Sequence, residues 1–362
     1  MKEENKMKLR KLMASVTAIA VAAMLLAGCG GEAASSAAAG SNQRSDGSSV
    51  VVTDGYHTAK DPYNGDSVKI AYVPNQGSSA NAQAWEKGIR QVLEPLNEIY
   101  GTIEFNVFDP NGDNEQQISI LTDLCTQNYD ALIIQCVDGT GIVPAIQECE
   151  EAGIQVISLN VSPACQHAAR FGFGGYTNGY AAGIEAGEML GGEGNVVIVG
   201  VPPEVTQAVG DCPWIGFQDA LATYEGISIL EEQAGDFTAE NANEIMRDFL
   251  TKYDDIDLAW CSNDEMASGA ALAIQSAGRE GIAVWGADGE TKALEYIEQG
   301  LMTGTIFNDP ITMGNDAAKM ALYCIMSETD QNFAASSDYA PSIMLPSTVV
   351  TDENVADITN RW

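Results

Sequence analysis

One stretch, residues 258–289, limits most strongly what this chain can fold into. Leu258–Cys261 is a short apolar run, a helical spacing of apolar residues begins after Asn263, and Ile282–Trp285 is a second apolar run. This spacing predicts a strand, a helix and a second strand that ends in the turn 286–289. Strands joined by one such helix pair in parallel through a right-handed crossover, so the stretch indicates a parallel α/β sheet.

Two polar side chains follow the two predicted strands of this stretch. Asn263 comes after the first strand and Asp288 after the second. Open α/β sheets bind ligands at the carboxyl ends of their strands. An amide and a carboxylate can together donate to and accept from a polyhydroxylated molecule. The same residue types also cap helices and shape turns, and this alternative stays open for both residues.

The same alternation of strand and helix runs from residue 67 toward the end of the chain. Apolar runs of about four to eight residues are typical of strands in a sheet covered on both faces. We expect strands near 68–73, 103–108, 131–136, 154–159, 196–201, 227–234, 302–307 and 343–350, and helices near 142–152, 178–190, 213–224, 239–252, 290–299 and 312–326. An extended segment at 170–176 separates two such series, so we predict an α/β fold with two doubly wound parallel-sheet lobes.

Three short motifs occur in order in the second half of the chain: SNDEM at 262–266, GADG at 286–289 and IFNDP at 306–310. Together they resemble the sugar-type, ribose-binding-protein-like (type I) periplasmic binding proteins, the substrate receptors of ABC importers. The resemblance covers roughly residues 67–350. It implies three crossing segments between the lobes, which form a hinge that closes around a ligand.

The resemblance also implies the domain boundaries. The N-terminal lobe is expected to comprise residues 67–174 plus 309–338. The C-terminal lobe is expected to comprise residues 175–308 plus 339–362. In this pattern the helix at 312–326 returns to the N-terminal lobe and the last strand crosses back.

The N-terminus predicts export. A basic segment from Lys6 to Lys11 precedes an apolar stretch, Met13–Leu26, which is too short for an ordinary membrane span and suits a signal peptide. Leu26-Ala27-Gly28-Cys29 resembles a bacterial lipobox, which implies removal of residues 1–28 and lipidation of Cys29. Residues 29–66 are rich in Gly, Ala, Ser, Asp and Asn and are interpreted as a flexible tether. The bulk of the protein is therefore expected at the outer face of the bacterial cytoplasmic membrane. An uncleaved anchor helix is the alternative.

The resemblance implies four ligand contacts in the C-terminal lobe: Phe237, Asn263, Asp288 and Asn308. The ring of Phe237 suits the apolar C–H face of a sugar. The two asparagines can each donate and accept, and Asp288 can accept two hydroxyl protons through charge-assisted bonds. Asn308 stands where the family commonly has glutamine.

The N-terminal lobe departs further from the family pattern. Ser79 and Asn81 stand where the family has an asparagine-and-aromatic cluster, and Asn160-Val161 stands where it often has Asp-Arg. A further expected arginine is replaced near Asp211. A bidentate arginine cannot be exchanged without changing the hydroxyl pattern that fits, so ribose is in doubt. The proposed replacements are Gln135, Asn160, Tyr176 and Asp211, with an ordinary loop role as the alternative for each.

Composition excludes some functions and leaves others open. The formal net charge of −34 argues against a nucleic-acid partner, because a polyphosphate needs a basic surface. Apart from Cys29, seven cysteines remain, with no CxxC and no Cys/His spacing for zinc. They are interpreted mainly as buried thiols, and one disulfide is possible but cannot be placed.

The segment Asp109–Glu115 looks like part of a calcium loop, and capping of the next helix is the preferred interpretation. No metal or cofactor is expected.

The favoured function is a lipid-anchored, monomeric solute receptor that binds a small sugar-like ligand and delivers it to an ABC permease. No bond is made or broken in this function. A sensory or quorum-signal receptor that signals to a chemoreceptor or kinase is the main alternative, with the same fold and anchor. A glycan hydrolase would need a carboxylate pair such as Asp211 and Asp288. The lac-repressor family shares the fold but needs a helix-turn-helix where this chain has its signal peptide.

Overall fold

The computed structural model describes residues 59–201, 212–327 and 342–362. The signal peptide, Cys29, most of the tether and Asp211 lie outside the described residues. The chain forms two compact units. The first contains the described residues up to Arg170 and those from Gly314 to Ser342, and the second contains Phe171–Met313 and Ile343–Trp362. The chain therefore changes unit at three places.

The first half of the chain alternates strands and helices, because short apolar runs are followed by amphipathic stretches. Helix α1 begins where the Ser79 hydroxyl accepts from the backbone N–H of Ala82, and it ends at Gly101 in the left-handed conformation. The elements are β1 Val68–Val73, α1 Ala80–Tyr100, β2 Ile103–Val107, α2 Asn114–Cys125, β3 Ala131–Ile134, α3 Val143–Glu151, β4 Gln155–Leu159 and β5 Ala169–Gly172.

The second half continues in the same way. Thr238 caps one of its helices and Asn263 caps the next, the role that the sequence left open as an alternative for Asn263. The elements are α4 Gly175–Met189, β6 Glu193–Gly200, α5 Pro213–Leu221, β7 Gly226–Ala234, α6 Ala239–Lys252, β8 Leu258–Cys261, α7 Asp264–Ser276, β9 Ala283–Trp285, α8 Thr291–Glu298, β10 Gly304–Phe307, α9 Pro310–Met326, β11 Ser342–Met344 and β12 Thr348–Thr351.

The strands form two six-stranded sheets, with the orders β11-β5-β4-β3-β1-β2 and β12-β10-β9-β8-β6-β7. The pairs of β1 with β2 and β3, and of β3 with β4, are parallel. In the second sheet β6 pairs in parallel with β7 and β8, β8 with β9 and β9 with β10, while β12 is antiparallel to β10. The predicted fold class, two doubly wound α/β lobes, is confirmed.

The core of each unit lies against its sheet. Every residue of β3 and β8 is buried, as expected for strands covered on both faces. In the first unit, Trp85 of α1 is 1% exposed. In the second, the rings of Phe217 and Trp260 stack with their centroids 4.5 Å apart. Burial of each such side chain contributes on the order of 1.5–3 kcal/mol, so this packing holds the helices against the sheets.

Two local predictions were wrong. The segment 170–176 is not extended throughout: β5 ends at Gly172 and α4 begins at Gly175, so Tyr176 lies in a helix. The single strand expected near 343–350 is two strands, β11 and β12, that belong to different sheets. Pro346 lies between them and has no backbone N–H with which to continue a ladder.

Three further findings concern helix capping, metal binding and membrane spans. Asp113 caps α2 by accepting from the N–H of Gln116 at 3.0 Å, which confirms the capping interpretation of residues 109–115. Within the described ranges, no group of three or more His, Cys, Asp or Glu residues could hold a metal ion. None of the helices described is long and apolar enough to cross a membrane.

Candidate functional site

Four of the predicted ligand residues follow strands of the second sheet. Phe237 comes after β7, Asn263 after β8, Asp288 after β9 and Asn308 after β10. The strands β7 to β10 are parallel members of one sheet, so their carboxyl ends lie along one edge. We call this edge, defined by these four residues, the second-unit edge.

Asp288 and Asn308 form the centre of the second-unit edge. The Asp288 N–H donates to the Ile306 carbonyl at 2.9 Å, and the Asn308 N–H donates to the Asp288 carbonyl at 3.0 Å. The Asn308 amide nitrogen lies 3.4 Å from Asp288 Oδ1. Asp288 has φ 114°, a conformation that favours glycine and costs a non-glycine residue about 1–3 kcal/mol. This strain is consistent with a side chain held in place for binding.

The Asp288 carboxylate has most of its accepting capacity free. It is partly buried, and the long bond from Asn308 is its single hydrogen bond within the described residues. Burial, and then the nearby charge of Glu290, raise the pKa of Asp288 to about 8, while the bond from Asn308 opposes this shift. An ionised carboxylate offers about four lone-pair directions. Asp288 can therefore accept several hydroxyl protons that this unit does not supply.

Asn308 is oriented by a network. It is 7% exposed, and its Oδ1 accepts from Asn178 Nδ2 at 3.0 Å and from Ser347 Oγ at 2.7 Å. Its backbone carbonyl accepts from the indole N–H of Trp362 at 3.2 Å. Because Oδ1 is occupied by two donors, the amide group must turn its N–H groups toward Asp288. Asn178, Ser347 and Trp362 were not predicted, because no local pattern in the sequence marks them as partners of Asn308.

Asp264 is a second buried carboxylate that sequence reasoning did not identify as part of the site. It is fully buried, and its Oδ2 accepts from the N–H groups of Gly289 at 2.6 Å and Glu290 at 2.8 Å. Its Oδ1 accepts from Thr305 Oγ1 at 2.6 Å. Burial raises the pKa of Asp264 well above its ordinary value, and the charge of Asp288 adds to this. Asp264 thus fixes the turn that carries Asp288.

The turn after β9 requires glycine where Asp264 approaches. A Cβ on Gly286 would lie 2.2 Å from Asp264 Oδ1, and one on Gly289 would lie 2.3 Å from Cδ2 of Phe307. Gly289 also has φ +78°. The GADG motif therefore has a steric basis: its two glycines allow a carboxylate and an aromatic ring to pack directly on the backbone.

Asn263 combines the two roles that the sequence left open. Its Oδ1 accepts from the Met266 N–H at 2.9 Å and caps α7. Its amide nitrogen makes no hydrogen bond with the described residues, so it can still donate. The capping role is observed, and it fixes the side chain in one orientation at the second-unit edge.

Phe237 presents an exposed ring. It is 49% exposed and has φ 61°, and the preceding Asp236 has φ 50°. The turn is held by bonds from Gly235 N to the Gly200 carbonyl at 3.0 Å and from Thr238 N to the Gly235 carbonyl at 3.1 Å. A Cβ on Gly235 would lie 2.5 Å from Met266 Sδ, so the turn packs on the first turn of α7.

Four predicted residues lie at the corresponding edge of the first sheet, the first-unit edge: Ser79 and Asn81 after β1, Gln135 after β3 and Asn160 after β4. Ser79 caps α1, and Asn81 lies in the first turn of that helix. Asn160 is exposed with φ 55°. Gln135 is 7% exposed, and its Oε1 is buried without a hydrogen-bond partner in the part of the chain that the structure describes.

Two predicted residues remain, Tyr176 and Asp211. The Tyr176 hydroxyl donates to Asp219 Oδ2 at 3.0 Å, which joins α4 to α5, and its ring stacks on Tyr180. This bond uses the hydroxyl that was expected to contact a ligand. Asp211, one member of the carboxylate pair considered for a hydrolase, lies outside the described residues.

Comparison with known proteins places this architecture in a family. A family model described as a periplasmic binding protein domain matches residues 70–329. A D-allose-binding periplasmic protein of Escherichia coli is 25% identical over 221 residues, which cover 58% of this chain and 70% of that protein. A ribose import binding protein of Bacillus subtilis is 28% identical over 218 residues, which cover 59% of this chain and 69% of that protein.

Solved structures agree in fold. An ABC transporter periplasmic solute binding protein of Actinobacillus succinogenes with bound D-allose has a TM-score of 0.69 at 26% identity, covering 80% of this chain and 99% of that one. An ABC transporter solute binding protein of Bacillus halodurans with bound myo-inositol has a TM-score of 0.69 at 24% identity, covering 81% and 97%.

These relatives are binding proteins, which confirms the prediction that the chain is not an enzyme. The family model spans both units, and the fold that the motifs predicted is the fold of the solved relatives. The chain belongs to the periplasmic binding protein family.

Proposed function

We propose that this protein is an extracytoplasmic receptor that binds a sugar or a sugar-like polyhydroxylated molecule and delivers it to an ABC importer. The observation that carries the proposal is the Asp288 carboxylate, partly buried beside Asn308 with a single long hydrogen bond among the described residues. The relatives named above include proteins with bound D-allose and myo-inositol, which supports this ligand class.

The second-unit edge has the chemistry that a polyol needs. Each hydroxyl both donates and accepts, and Asp288 accepts while the amide nitrogens of Asn263 and Asn308 donate. Bonds to a carboxylate are charge-assisted and about twice as strong as neutral ones. The exposed ring of Phe237 offers an apolar face for the C–H groups of the sugar ring.

The first-unit edge is proposed as a second set of contacts. Gln135 supports this best: its buried side-chain oxygen has no partner among the described residues, and such an oxygen costs free energy until a donor reaches it. Ser79, Asn81 and Asn160 are the other proposed contacts, and Asp211 remains part of the proposal. Val161 stands in place of an arginine, so the ligand is not assigned as ribose.

The remaining parts of the proposal concern anchoring and closure. Lipidation at Cys29 after removal of residues 1–28, a tether at 29–66, a monomeric state and hinge closure around the ligand are predictions. They are supported by the lipobox-like sequence and by the three places at which the chain changes unit. The proposed lobes remain 67–174 plus 309–338 and 175–308 plus 339–362.

A thermal-shift screen of the purified protein against pentoses, hexoses, inositols and other polyols tests the proposal. A ligand at about 100 times its Kd stabilises a receptor by about 2.7 kcal/mol, which raises Tm by several degrees. We expect one class of polyol to do so for the wild type and for Asp248→Asn, a control on the exposed surface of α6. Asp288→Ala should remain folded and lose the shift.

Two outcomes would contradict the proposal. If no carbohydrate-like compound changes Tm, the sugar-like ligand class is wrong. If a compound stabilises Asp288→Ala as much as the wild type, that compound binds elsewhere and Asp288 is not a ligand residue.

A further inference from the structure

Two cysteines of the first unit touch each other. Cys125 is the last residue of α2, Cys149 lies in α3, and their sulfur atoms are 3.5 Å apart. Both sulfurs also lie near the Leu121 carbonyl oxygen, at 3.2 Å from Cys125 Sγ and 3.8 Å from Cys149 Sγ. Both are thiols in this structure. The two side chains therefore already point at a common position.

The two thiols differ in their access to solvent. Cys125 is partly exposed, whereas Cys149 is fully buried in the core of the first unit. A soluble reagent can therefore reach Cys125, and Cys149 lies directly behind it. Burial, and then the adjacent sulfur of Cys125, raise the pKa of Cys149, which keeps it protonated while the pair is reduced.

We propose that Cys125 and Cys149 form a dithiol site that is converted to an intramolecular disulfide by a disulfide-bearing oxidant. A disulfide bond needs the sulfurs about 2.05 Å apart. The present contact requires an approach of about 1.5 Å, which side-chain rotation at the end of α2 can supply because Cys125 is the last helical residue.

The reaction balances as two thiol–disulfide exchanges. The Cys125 thiolate attacks one sulfur of the oxidant RS–SR, forms a mixed disulfide and releases RS⁻. The Cys149 sulfur, on losing its proton, then attacks the Cys125 sulfur and releases the second RS⁻. The two released thiolates take up the two cysteine protons. The protein loses two hydrogen atoms, which are two protons and two electrons, and the oxidant is reduced to two RSH.

The consequence is a covalent link between two helices on one side of the first sheet. The cysteines are 24 residues apart, and the closed loop contains β3 and the polar residue Gln135 that follows it. A link of this span lowers the entropy of the unfolded chain, so it should raise Tm by roughly 5–10 °C. The site is independent of the ligand proposal, because neither cysteine lies at a sheet edge.

Oxidised glutathione, followed by alkylation of the remaining thiols and peptide mass spectrometry, tests the proposal on the purified protein. We expect a Cys125–Cys149 linked peptide, a mass loss of two hydrogen atoms, and a rise in Tm that a thiol reductant reverses. Cys125→Ser should abolish all three effects. Cys165→Ser, which removes another partly exposed thiol of the same unit, should preserve them.

Three results would overturn the proposal. One is a linked peptide that joins other cysteines. Another is a glutathione adduct on Cys125 that never resolves with Cys149. The third is the absence of any oxidant-dependent product after prolonged incubation. The Cys125→Ser variant is the informative one, because a partly exposed helix end tolerates serine better than the buried position of Cys149 does.

Discussion

The two sheet edges carry similar residue types but hold them differently. At the second-unit edge, Asp288 and Asn308 belong to a network that includes Asn178 and Ser347, and Asp264 fixes the turn beneath them. At the first-unit edge, the predicted side chains do not form a shared network. Ser79 caps a helix, and the side-chain oxygen of Gln135 is buried without a partner in the described residues. The second-unit edge is therefore held in place by the protein itself, and the proposed function assigns the contacts common to many ligands to it and the contacts that select among ligands to the first-unit edge.

The largest expected effect is on Asp288. In Asp288→Asn, ligand affinity should fall at least about 100-fold, because two charge-assisted bonds of about 1.5–3 kcal/mol each are weakened. Without ligand, the gain in stability of the variant over the wild type should grow as the pH rises from 3.8 and level off above about pH 8, because the variant has no carboxyl group whose ionisation burial opposes. Isothermal titration calorimetry and thermal unfolding measure the two effects. Equal affinity in both proteins would contradict a central role for Asp288.

The sign of the stability effect follows from the raised pKa. The folded protein holds the Asp288 proton up to about pH 8, whereas the unfolded chain releases it near its ordinary value of 3.8. The folded state therefore binds more protons between these two values, and stability falls as the pH rises through this range. Asp288→Asn should not show this part of the decline.

The next largest effect concerns Asp264. Asp264→Ala leaves the Gly289 and Glu290 N–H groups and the Thr305 hydroxyl unpaired in the interior, which should lower the free energy of unfolding by about 3 kcal/mol or more. Asp264→Asn can accept both N–H groups with its oxygen and donate to Thr305 with its nitrogen. Chemical denaturation should therefore show a far smaller loss for Asn, and an equal loss would contradict this account.

A third effect is on the pH dependence of binding. If ligand hydroxyls donate to ionised Asp288, its pKa falls on binding and a proton is released. Affinity should then rise up to about tenfold per pH unit as the pH approaches 8 from below, and level off above it. Calorimetry across about pH 6 to 9 measures this, with Asp288→Asn expected to lose the dependence. A decline in affinity over the same range would show that the ligand prefers the protonated acid.

The smallest expected effect lies at the first-unit edge. Gln135→Leu keeps a similar volume and removes the unpartnered carbonyl, so ligand affinity should fall about tenfold, the equivalent of one neutral hydrogen bond. The Tm without ligand should stay the same or rise. Comparing several polyols sharpens the test: Gln135→Leu should change their order of affinity, whereas Asp288→Asn should weaken them all.

Local pattern was enough to predict most of the fold. The apolar runs predicted the strands. The start of a helix after Asn263 was also predicted correctly, because a helix cap involves residues only three positions apart in the sequence. The error at Tyr176 arose where Gly174 and Gly175 let a helix start sooner after β5 than the apolar pattern indicated.

The site was harder to predict, because its positions depend on distant residues. Asp264 looks like any acidic residue at a helix start, and its burial follows from partners 25 and 41 residues further along the chain. Asn178 reaches Asn308 across 130 residues. The roles of Asp288 and Asn308 came from a family resemblance, and no periodicity in the sequence could have supplied the network around them.

The hydrogen bond between Trp362 and Asn308 makes this protein a candidate for detecting ligand binding by its intrinsic tryptophan fluorescence. Of the five tryptophans, Trp85, Trp260 and Trp285 are almost fully buried, and Trp214 donates to Glu232 on the side of α5. Trp362 is partly buried, and its indole N–H donates to the residue at the centre of the second-unit edge. Indole emission depends on local polarity, so a ligand that reorders Asn308 should shift the fluorescence of Trp362 and spare most of the rest. The wild-type protein would thus report ligand binding through its own fluorescence. In Trp362→Phe this change in fluorescence should be lost.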